Sequence, residues 1–107
     1  MRIITRRTLV EFWESKRHQK DYRALKAALG AWYYEVRKAR WDNSSDVKKN
    51  FATASIVSSD RVVFNIKGND YRLIASVDYS RQWVFIKWIG THRDYDKIDA
   101  REVQYGD

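Results

Sequence analysis

The sequence has 107 residues, a formal net charge of +7, 44% apolar residues and no cysteine. This length suits one domain with one compact core, and the apolar content excludes a disordered chain. The lack of cysteine excludes disulfides, cysteine metal sites and a cysteine nucleophile. The positive charge favours a polyanionic partner, such as RNA, DNA or an anionic membrane surface. No apolar run approaches the roughly 18 residues of a membrane span, and the N-terminus lacks a secretory signal, so we expect a cytoplasmic protein.

The first 40 residues have the periodicity of helices that follow a short strand. Met1–Ile4 predicts that strand, and a helix is expected to begin near Thr5–Thr8. Thr8 and Glu11 have the spacing of a capping box. A second helix is expected after Asp21, a candidate N-cap. Its apolar stripe, with the spacing of one buried helix face, is Tyr22, Leu25, Leu29, Trp32, Tyr33 and Val36.

The remaining residues predict an antiparallel sheet. Residues 41–51 have the composition of a loop. Strands are expected at 54–57, 61–66, 71–79 and 83–89, with Gly68 and Asn69 supplying positive φ in the turn at 67–70. The apolar run 83–89 is typical of a central strand buried on both faces. We therefore predict an α+β domain over residues 1–107: an N-terminal strand and two helices packed on a small, mainly antiparallel sheet, with a short C-terminal helix or turn.

Three cations lie on or beside the last two predicted strands. Lys87 interrupts the apolar run, Arg72 opens the preceding strand, and His92 follows the end of the last strand. If the two strands form a tight hairpin, Arg72 lies opposite about Ile89. Lys87 then lies opposite about Ile74, and both cations project from the same face. A register slip of one residue would separate them.

These residue types suit cleavage of RNA by its own 2′-hydroxyl. The reaction needs a base, an acid and cations for charge on the phosphoryl oxygens. Histidine can exchange the proton, arginine and lysine can hold the phosphate, and Tyr95 can stack on a base or donate a proton. His18 is expected to be a solvated surface residue. Asp94, Asp96 and Asp99 more often form a salt-bridged turn than a metal site, and we expect no metal and no cofactor.

Two blocks of sequence resemble the HigB family of toxins, within the RelE-like superfamily of toxin–antitoxin ribonucleases. They are Val63–Ile74, which contains Phe-Asn-Ile-Lys-Gly-Asn-Asp-Tyr-Arg-Leu-Ile, and Val84–Ile98, which contains Ile-Lys-Trp-Ile-Gly-Thr-His-Arg-Asp-Tyr-Asp. The resemblance extends over nearly the whole chain. It includes the Ile-Ile-Thr start, Leu9 and Phe12 in the first helix, Leu25 to Trp32 in the second, Val47-Lys48-Lys49, and Phe51-Ala52-Thr53-Ala54-Ser55.

The resemblance implies a RelE-like fold and an endoribonuclease that cuts messenger RNA, usually on the ribosome and without a metal. It also implies inhibition by a HigA-like antitoxin with a helix-turn-helix domain, whose complex with the toxin represses their operon. Arg72 matches the arginine of Tyr-Arg-Leu, Lys87 matches the Ile-Lys strand, and His92 and Tyr95 match the Thr-His-x-x-Tyr-Asp ending. Lys67 matches a region in which relatives carry phosphate-binding lysines.

Other basic and polar residues are candidates for RNA contact. Asn69 and Arg93 lie beside the residues matched to catalysis, and the first helix and its end carry Arg6, Arg7, Arg17 and Lys20, which could meet ribosomal RNA. The alternative reading is a non-catalytic basic RNA-binding module, or a toxin relative that has lost its activity. A DNA-binding regulator is a weaker third reading, because the second helix is aromatic along one stripe and no helix-turn-helix pair is visible.

Overall fold

The computed structural model of the protein describes residues 1–103 and has an α+β fold. In chain order its elements are β1 Arg2–Ile4, α1 Arg6–Ser15, α2 Tyr22–Lys38, α3 Ser44–Asn50, β2 Ser55–Ile56, β3 Arg61–Ile66, β4 Tyr71–Asp78, β5 Trp83–Thr91 and α4 His92–Tyr95. The strands form one sheet of order β1-β5-β4-β3-β2. Strand β1 is parallel to β5, and the other pairs are antiparallel. The predicted fold class is therefore confirmed, while residues 104–107 of the predicted domain lie outside the described residues.

The core lies between one face of the sheet and the helices α1, α2 and α3. The predicted stripe of α2 is confirmed, because Leu25, Leu29 and Val36 are fully buried. Trp32 meets Phe64 of β3 edge to face, with 5.4 Å between ring centroids. Among residues 1–103, no helix has the length and apolarity needed to cross a membrane.

The opposite side of the sheet is called the open face here. Strand pairing and side-chain contacts place on it Arg61, Val63, Asn65, Arg72, Ile74, Ser76, Trp83, Phe85, Lys87, Trp88 and Gly90. The chain at Ala100–Val103 lies against this face at the start of β3. There the buried side chain of Arg61 donates hydrogen bonds to the carbonyls of Ala100 (3.1 Å) and Val103 (2.8 Å). The part of the open face along β5 stays partly exposed to solvent.

The entry into α1 differs from the prediction. Thr5 precedes the helix with φ +68°, and its side chain makes no capping bond. Thr8 lies inside α1, and Glu11 pairs with Arg7 at 3.0 Å instead of capping, so the predicted capping box is wrong. The Thr5 hydroxyl instead accepts a hydrogen bond from the backbone N–H of Ile86 at 3.1 Å, which ties the end of β1 to β5.

Residues 41–51 were predicted to be a loop, but they contain α3. The side chain of Asn43 accepts a hydrogen bond from the N–H of Asp46 at 3.1 Å, and the Asp46 carboxylate accepts one from the N–H of Asp42 at 2.9 Å. Each side chain thus satisfies a free donor at the helix start, as in a capping box. Val47 is fully buried and anchors the short helix in the core.

Strand β5 corrects two further predictions. It runs to Thr91, and it alternates: Val84 and Ile86 are buried, whereas Trp83 and Phe85 are only half-buried. The strand is therefore not buried on both faces. The other predicted strands lie within a residue of the observed ones, except that β2 is only two residues long.

A β-bulge at Lys87 sets the register of the last hairpin. Arg72 pairs with Gly90, one residue from the predicted partner, and Ile74 pairs with Trp88. Beyond the bulge Ala75 pairs with Ile86, so Lys87 is the extra residue between two paired ones. Without this insertion, the shifted register would turn Arg72 and Lys87 to opposite faces. With it, both lie on the open face, as predicted.

Candidate functional site

Arg72 and Tyr95 form the centre of the candidate site, at the end of the open face where β4 begins. The Cζ atom of Arg72 lies 6.0 Å from the centroid of the Tyr95 ring, within cation–π range. Its Nη1 atom donates to the carbonyl of Asn69 at 3.1 Å, which fixes the guanidinium against the preceding turn. The Tyr95 ring in turn lies 6.3 Å from that of Trp88. The rest of the guanidinium fork can meet an anion such as a phosphate.

Gly90 allows Trp88 to lie where it does. Gly90 is the partner of Arg72 in the sheet, and a Cβ atom at this position would stand 2.4 Å from Cη2 of the Trp88 indole. Real Cβ atoms do not approach other atoms so closely, so the indole lies across Gly90 only because no side chain is present. The glycine thus helps to position the ring that supports Tyr95.

His92 begins α4 directly after β5. Its backbone N–H donates to the carbonyl of Asp70 at 3.0 Å, which fixes the start of α4 to the turn between β3 and β4. The Thr91 hydroxyl caps this single turn by accepting from the N–H of Asp94 at 3.1 Å. The Nδ1 atom of His92 lies 3.3 Å from Oδ2 of Asp96, and the His92 side chain is 48% exposed. A carboxylate on Nδ1 favours the tautomer whose Nε2 is free to take a proton.

Lys67 and Asp21 tie the turn before Arg72 to the start of α2. The Nζ atom of Lys67 lies 2.6 Å from Asp70 and 3.7 Å from Asp21. The hydrogen bond with Asp70 is the main cause that raises the pKa of Lys67. Asp21 also accepts a hydrogen bond from the Tyr71 hydroxyl at 2.7 Å. Burial, and next the Asp21 bond, raises the pKa of Tyr71 to about 12. Asp21 thus precedes α2 as predicted, but its side chain binds Tyr71 instead of capping the helix.

The turn itself differs from the prediction in one detail. The residues with positive φ are Lys67 (+52°) and Gly68 (+65°), not Gly68 and Asn69. Because two carboxylates already surround its ammonium group, Lys67 is less available to a phosphate than Arg72 is. Asn69 contributes its backbone carbonyl to the site, through the bond to Arg72.

Two of the remaining predicted residues, Lys87 and Arg93, border the Arg72–Tyr95 pair, and the others lie apart from it, on α1 or in the turn after it. Lys87 lies three residues along β5 from Gly90, the partner of Arg72, and three residues of strand span about 10 Å. Its ammonium group lies 5.6 Å from the Phe85 ring centroid. Arg93 is exposed on α4. The other cations and His18 are exposed on α1 or the turn after it: Arg6 lies over Tyr33, Arg7 pairs with Glu11, Arg17 bonds to His18, and Lys20 is exposed.

Asp94 and Asp96 lie beside basic side chains, in agreement with the predicted salt-bridged turn, but Asp99 instead accepts a hydrogen bond from the backbone N–H of Arg101 at 2.9 Å. Asp96 pairs with His92, and Asp94 lies 3.9 Å from the Nζ atom of Lys97. Within residues 1–103, no group of three or more carboxylate or imidazole side chains is placed to hold a metal ion.

Sequence reasoning missed the contribution of Trp88, Gly90 and Asp96 to this site. The aromatic residues at alternate positions 83 and 85 were a signal that β5 turns one set of side chains away from the core. The bulge that turns Trp88 to the same face has no comparable signal, because it arises in the pairing of β5 with β4.

The fold and the site together define a small basic α+β protein in which an arginine on the open sheet face contacts a tyrosine of the short helix α4, and a histidine of the same helix lies beside a carboxylate. Comparison with models of protein families identifies the family to which the chain belongs. The family model of the HigB toxin, described as the RelE-like toxic component of a toxin–antitoxin system, matches residues 25–98. This is more than two thirds of the chain, and the chain therefore belongs to the HigB toxin family.

The matched segment runs from α2 through α4 and includes Arg72, Lys87, His92 and Tyr95. The protein is thus the toxin component of a toxin–antitoxin system, and its partner is an antitoxin. A comparison with curated proteins finds no match.

Proposed function

We propose that this toxin is an endoribonuclease that cleaves messenger RNA on the ribosome, without a metal, in the cytoplasm. One observation carries the proposal. Within the fold of a RelE-like toxin, Arg72 contacts Tyr95, and His92 on the same short helix α4 is oriented by Asp96. These groups supply the anion binding, the proton exchange and the base stacking that RNA cleavage needs.

In the proposed mechanism Arg72 binds the phosphate at the cleaved bond. His92 accepts the proton of the adjacent 2′-hydroxyl through Nε2, and Asp96 stabilises the imidazolium that forms. The 2′ oxygen forms a bond to phosphorus while the bond from phosphorus to the 5′ oxygen breaks, and Tyr95 or water supplies the proton to that leaving oxygen. The products are a 2′,3′-cyclic phosphate and a 5′-hydroxyl.

Further residues extend the proposed contact with RNA. Lys87, Asn69 and Arg93 border the site, and Lys67 stabilises the turn that carries Asn69. The exposed cations of α1 and of the turn after it form a separate surface suited to ribosomal RNA: Arg6, Arg7, Arg17 and Lys20. We also propose that the antitoxin is a HigA-like helix-turn-helix protein, so that any contact with DNA is made through the complex.

Cleavage by purified protein tests the proposal. Ribosomes programmed with a defined messenger RNA are incubated with the toxin in the presence of EDTA, and the new ends are mapped and tested for a cyclic phosphate. We expect cleavage in EDTA, and we expect Arg72→Ala and His92→Ala to reduce its rate by about 100-fold or more.

The matched control is Lys49→Ala, because Lys49 is an exposed cation that lies on α3, away from the proposed site and from the cations assigned to ribosomal RNA. Its cleavage rate should stay close to that of the native protein. Binding of messenger RNA without any cleavage would contradict the proposal and favour the non-catalytic RNA-binding alternative. Full activity of both site variants would contradict the assignment of the residues.

A further inference from the structure

Aromatic rings interspersed with cations follow one another along β5 and continue to the Arg72–Tyr95 pair. These residues, called the aromatic row, are Arg81, Trp83, Phe85, Lys87, Trp88, Tyr95 and Arg72. Arg81 lies 5.1 Å from the Trp83 ring centroid, and Trp83 lies 6.0 Å from Phe85. Lys87 then lies over Phe85, and Trp88 lies beside Tyr95.

The row faces away from the hydrophobic core. Phe85 pairs with Ser76, and Trp83 pairs with Asp78, both on the open face. All three β5 rings, those of Trp83, Phe85 and Trp88, keep part of their surface in solvent. Large apolar rings that stay partly exposed along one strand are not needed for the core, which lies on the other side of the sheet, and such a line points to an interaction surface.

The charge around the row is mainly positive. Arg2 is exposed and pairs with Trp83 across β1 and β5, so a second cation joins Arg81 at the Trp83 end of the row. Carboxylates also border the row, and they are engaged. Asp78 lies 3.8 Å from Arg81, and Asp60 accepts a hydrogen bond from Ser76 at 2.7 Å. At the Tyr95 end, Asp94 lies beside Lys97 and Asp96 beside His92.

We infer that the aromatic row is a binding track for single-stranded RNA, which holds the nucleotides that flank the one at Arg72 and Tyr95. Bases stack on the exposed faces of Trp83, Phe85 and Trp88, and phosphates lie near Lys87, Arg81 and Arg2, as in single-strand-binding surfaces that combine stacking with positive charge. This inference deepens the proposed function, but RNA binding along the row does not depend on cleavage.

Base stacking and positive charge predict different changes in RNA binding when residues of the row are replaced. Measurements of affinity and of its salt dependence distinguish the two. The probe is a labelled single-stranded RNA of roughly ten nucleotides, a length within the usual range for such surfaces. It carries 2′-O-methyl groups throughout, so that it cannot be cleaved. The same sequence as a duplex is the comparison, because paired bases are not free to stack on the row.

Trp83→Leu keeps an apolar side chain but removes the stacking surface. We expect it to weaken single-strand binding about ten-fold and duplex binding by less than about two-fold, and we expect Trp83→Tyr to restore most of the affinity. Lys87→Gln should instead make the salt dependence of single-strand binding shallower by about 0.7 in slope, the value for one phosphate contact. Trp83→Leu should leave that slope unchanged.

The matched control is Tyr34→Leu, because Tyr34 is an exposed ring with Lys38 4.5 Å from its centroid, but it lies on α2. Its affinity for RNA should equal that of the native protein. Unchanged single-strand binding by Trp83→Leu, or an equal loss on the duplex, would overturn the inference. Loss of antitoxin binding with RNA binding intact would also overturn it, because the row would then be a protein-docking surface. Row-dependent binding of this probe, combined with no cleavage of messenger RNA in the ribosome assay, would support the track while contradicting the endonuclease proposal.

Discussion

Replacement of Tyr71 by phenylalanine tests how the site is fixed to the rest of the fold. Tyr71 is 3% exposed, and its hydroxyl donates to Oδ2 of Asp21 at 2.7 Å. The bond connects β4, one residue before Arg72, to the start of α2. Tyr71→Phe removes the donor and leaves the ring in place, so the Asp21 carboxylate keeps only its more distant contact with Lys67 at 3.7 Å.

Two considerations give the size of the effect. A hydrogen bond to a charged group stabilises a protein by about 1.5–3 kcal/mol, and the partial exposure of Asp21 favours the lower end, about 1.5 kcal/mol. The pKa of Tyr71 is raised from 10.0 to about 12 in the folded protein. A raised pKa means that the stability linked to the neutral phenol is complete below pH 10 and falls as the pH rises toward 12. At pH 11 the loss is about 1.4 kcal/mol.

Urea unfolding followed by tryptophan fluorescence measures both values. At pH 8 we expect the free energy of unfolding of Tyr71→Phe to lie about 1.5 kcal/mol below that of the native protein. At pH 11 the gap should nearly close, because the native protein loses the linked stability and the variant has no phenol to titrate. Tyr34→Phe is the control and should differ by less than about 0.5 kcal/mol. A gap below that value at pH 8, or one that persists at pH 11, would refute the reasoning.

Two further substitutions test the supports of the open face. Arg61→Met leaves the carbonyls of Ala100 and Val103 without their buried donor, and should lower the free energy of unfolding by about 3 kcal/mol; a loss below about 1 kcal/mol in urea unfolding would contradict this. Gly90→Ala places a Cβ atom 2.4 Å from the Trp88 indole, which should displace the ring, cost about 1–3 kcal/mol and reduce RNA cleavage. Native tryptophan emission together with a native cleavage rate would show that the ring does not depend on Gly90.

Much of the fold could be predicted because local pattern and tertiary packing agree. The stripe of α2 and the alternation in β3 and β4 follow from the burial of one face of each element. The prediction of a loop at 41–51 was wrong for a physical reason: asparagine, serine and aspartate favour both turns and helix starts. The burial of Val47, together with the hydrogen bonds accepted by Asn43 and Asp46, decides for the helix.

The candidate site could be predicted in part. The expectation that Arg72 and Lys87 share a face was correct, but the uniform register behind it was not. The bulge that keeps both on the open face lies next to Ile86, whose N–H binds Thr5 from the far end of the chain. A contact across that separation leaves no local pattern in the sequence, and neither does the pairing with β4 that turns Trp88 to the open face.

The position of new transcript ends in cells tests the central claim most directly. A short pulse of expression is followed by mapping of 5′ ends across the transcriptome, for the native protein, for Arg72→Ala and for the surface control Lys49→Ala. We predict new 5′-hydroxyl ends within reading frames for the native protein and for Lys49→Ala, and none for Arg72→Ala. Growth arrest by the native protein with unchanged transcript ends would contradict the claim that this toxin acts by cleaving messenger RNA.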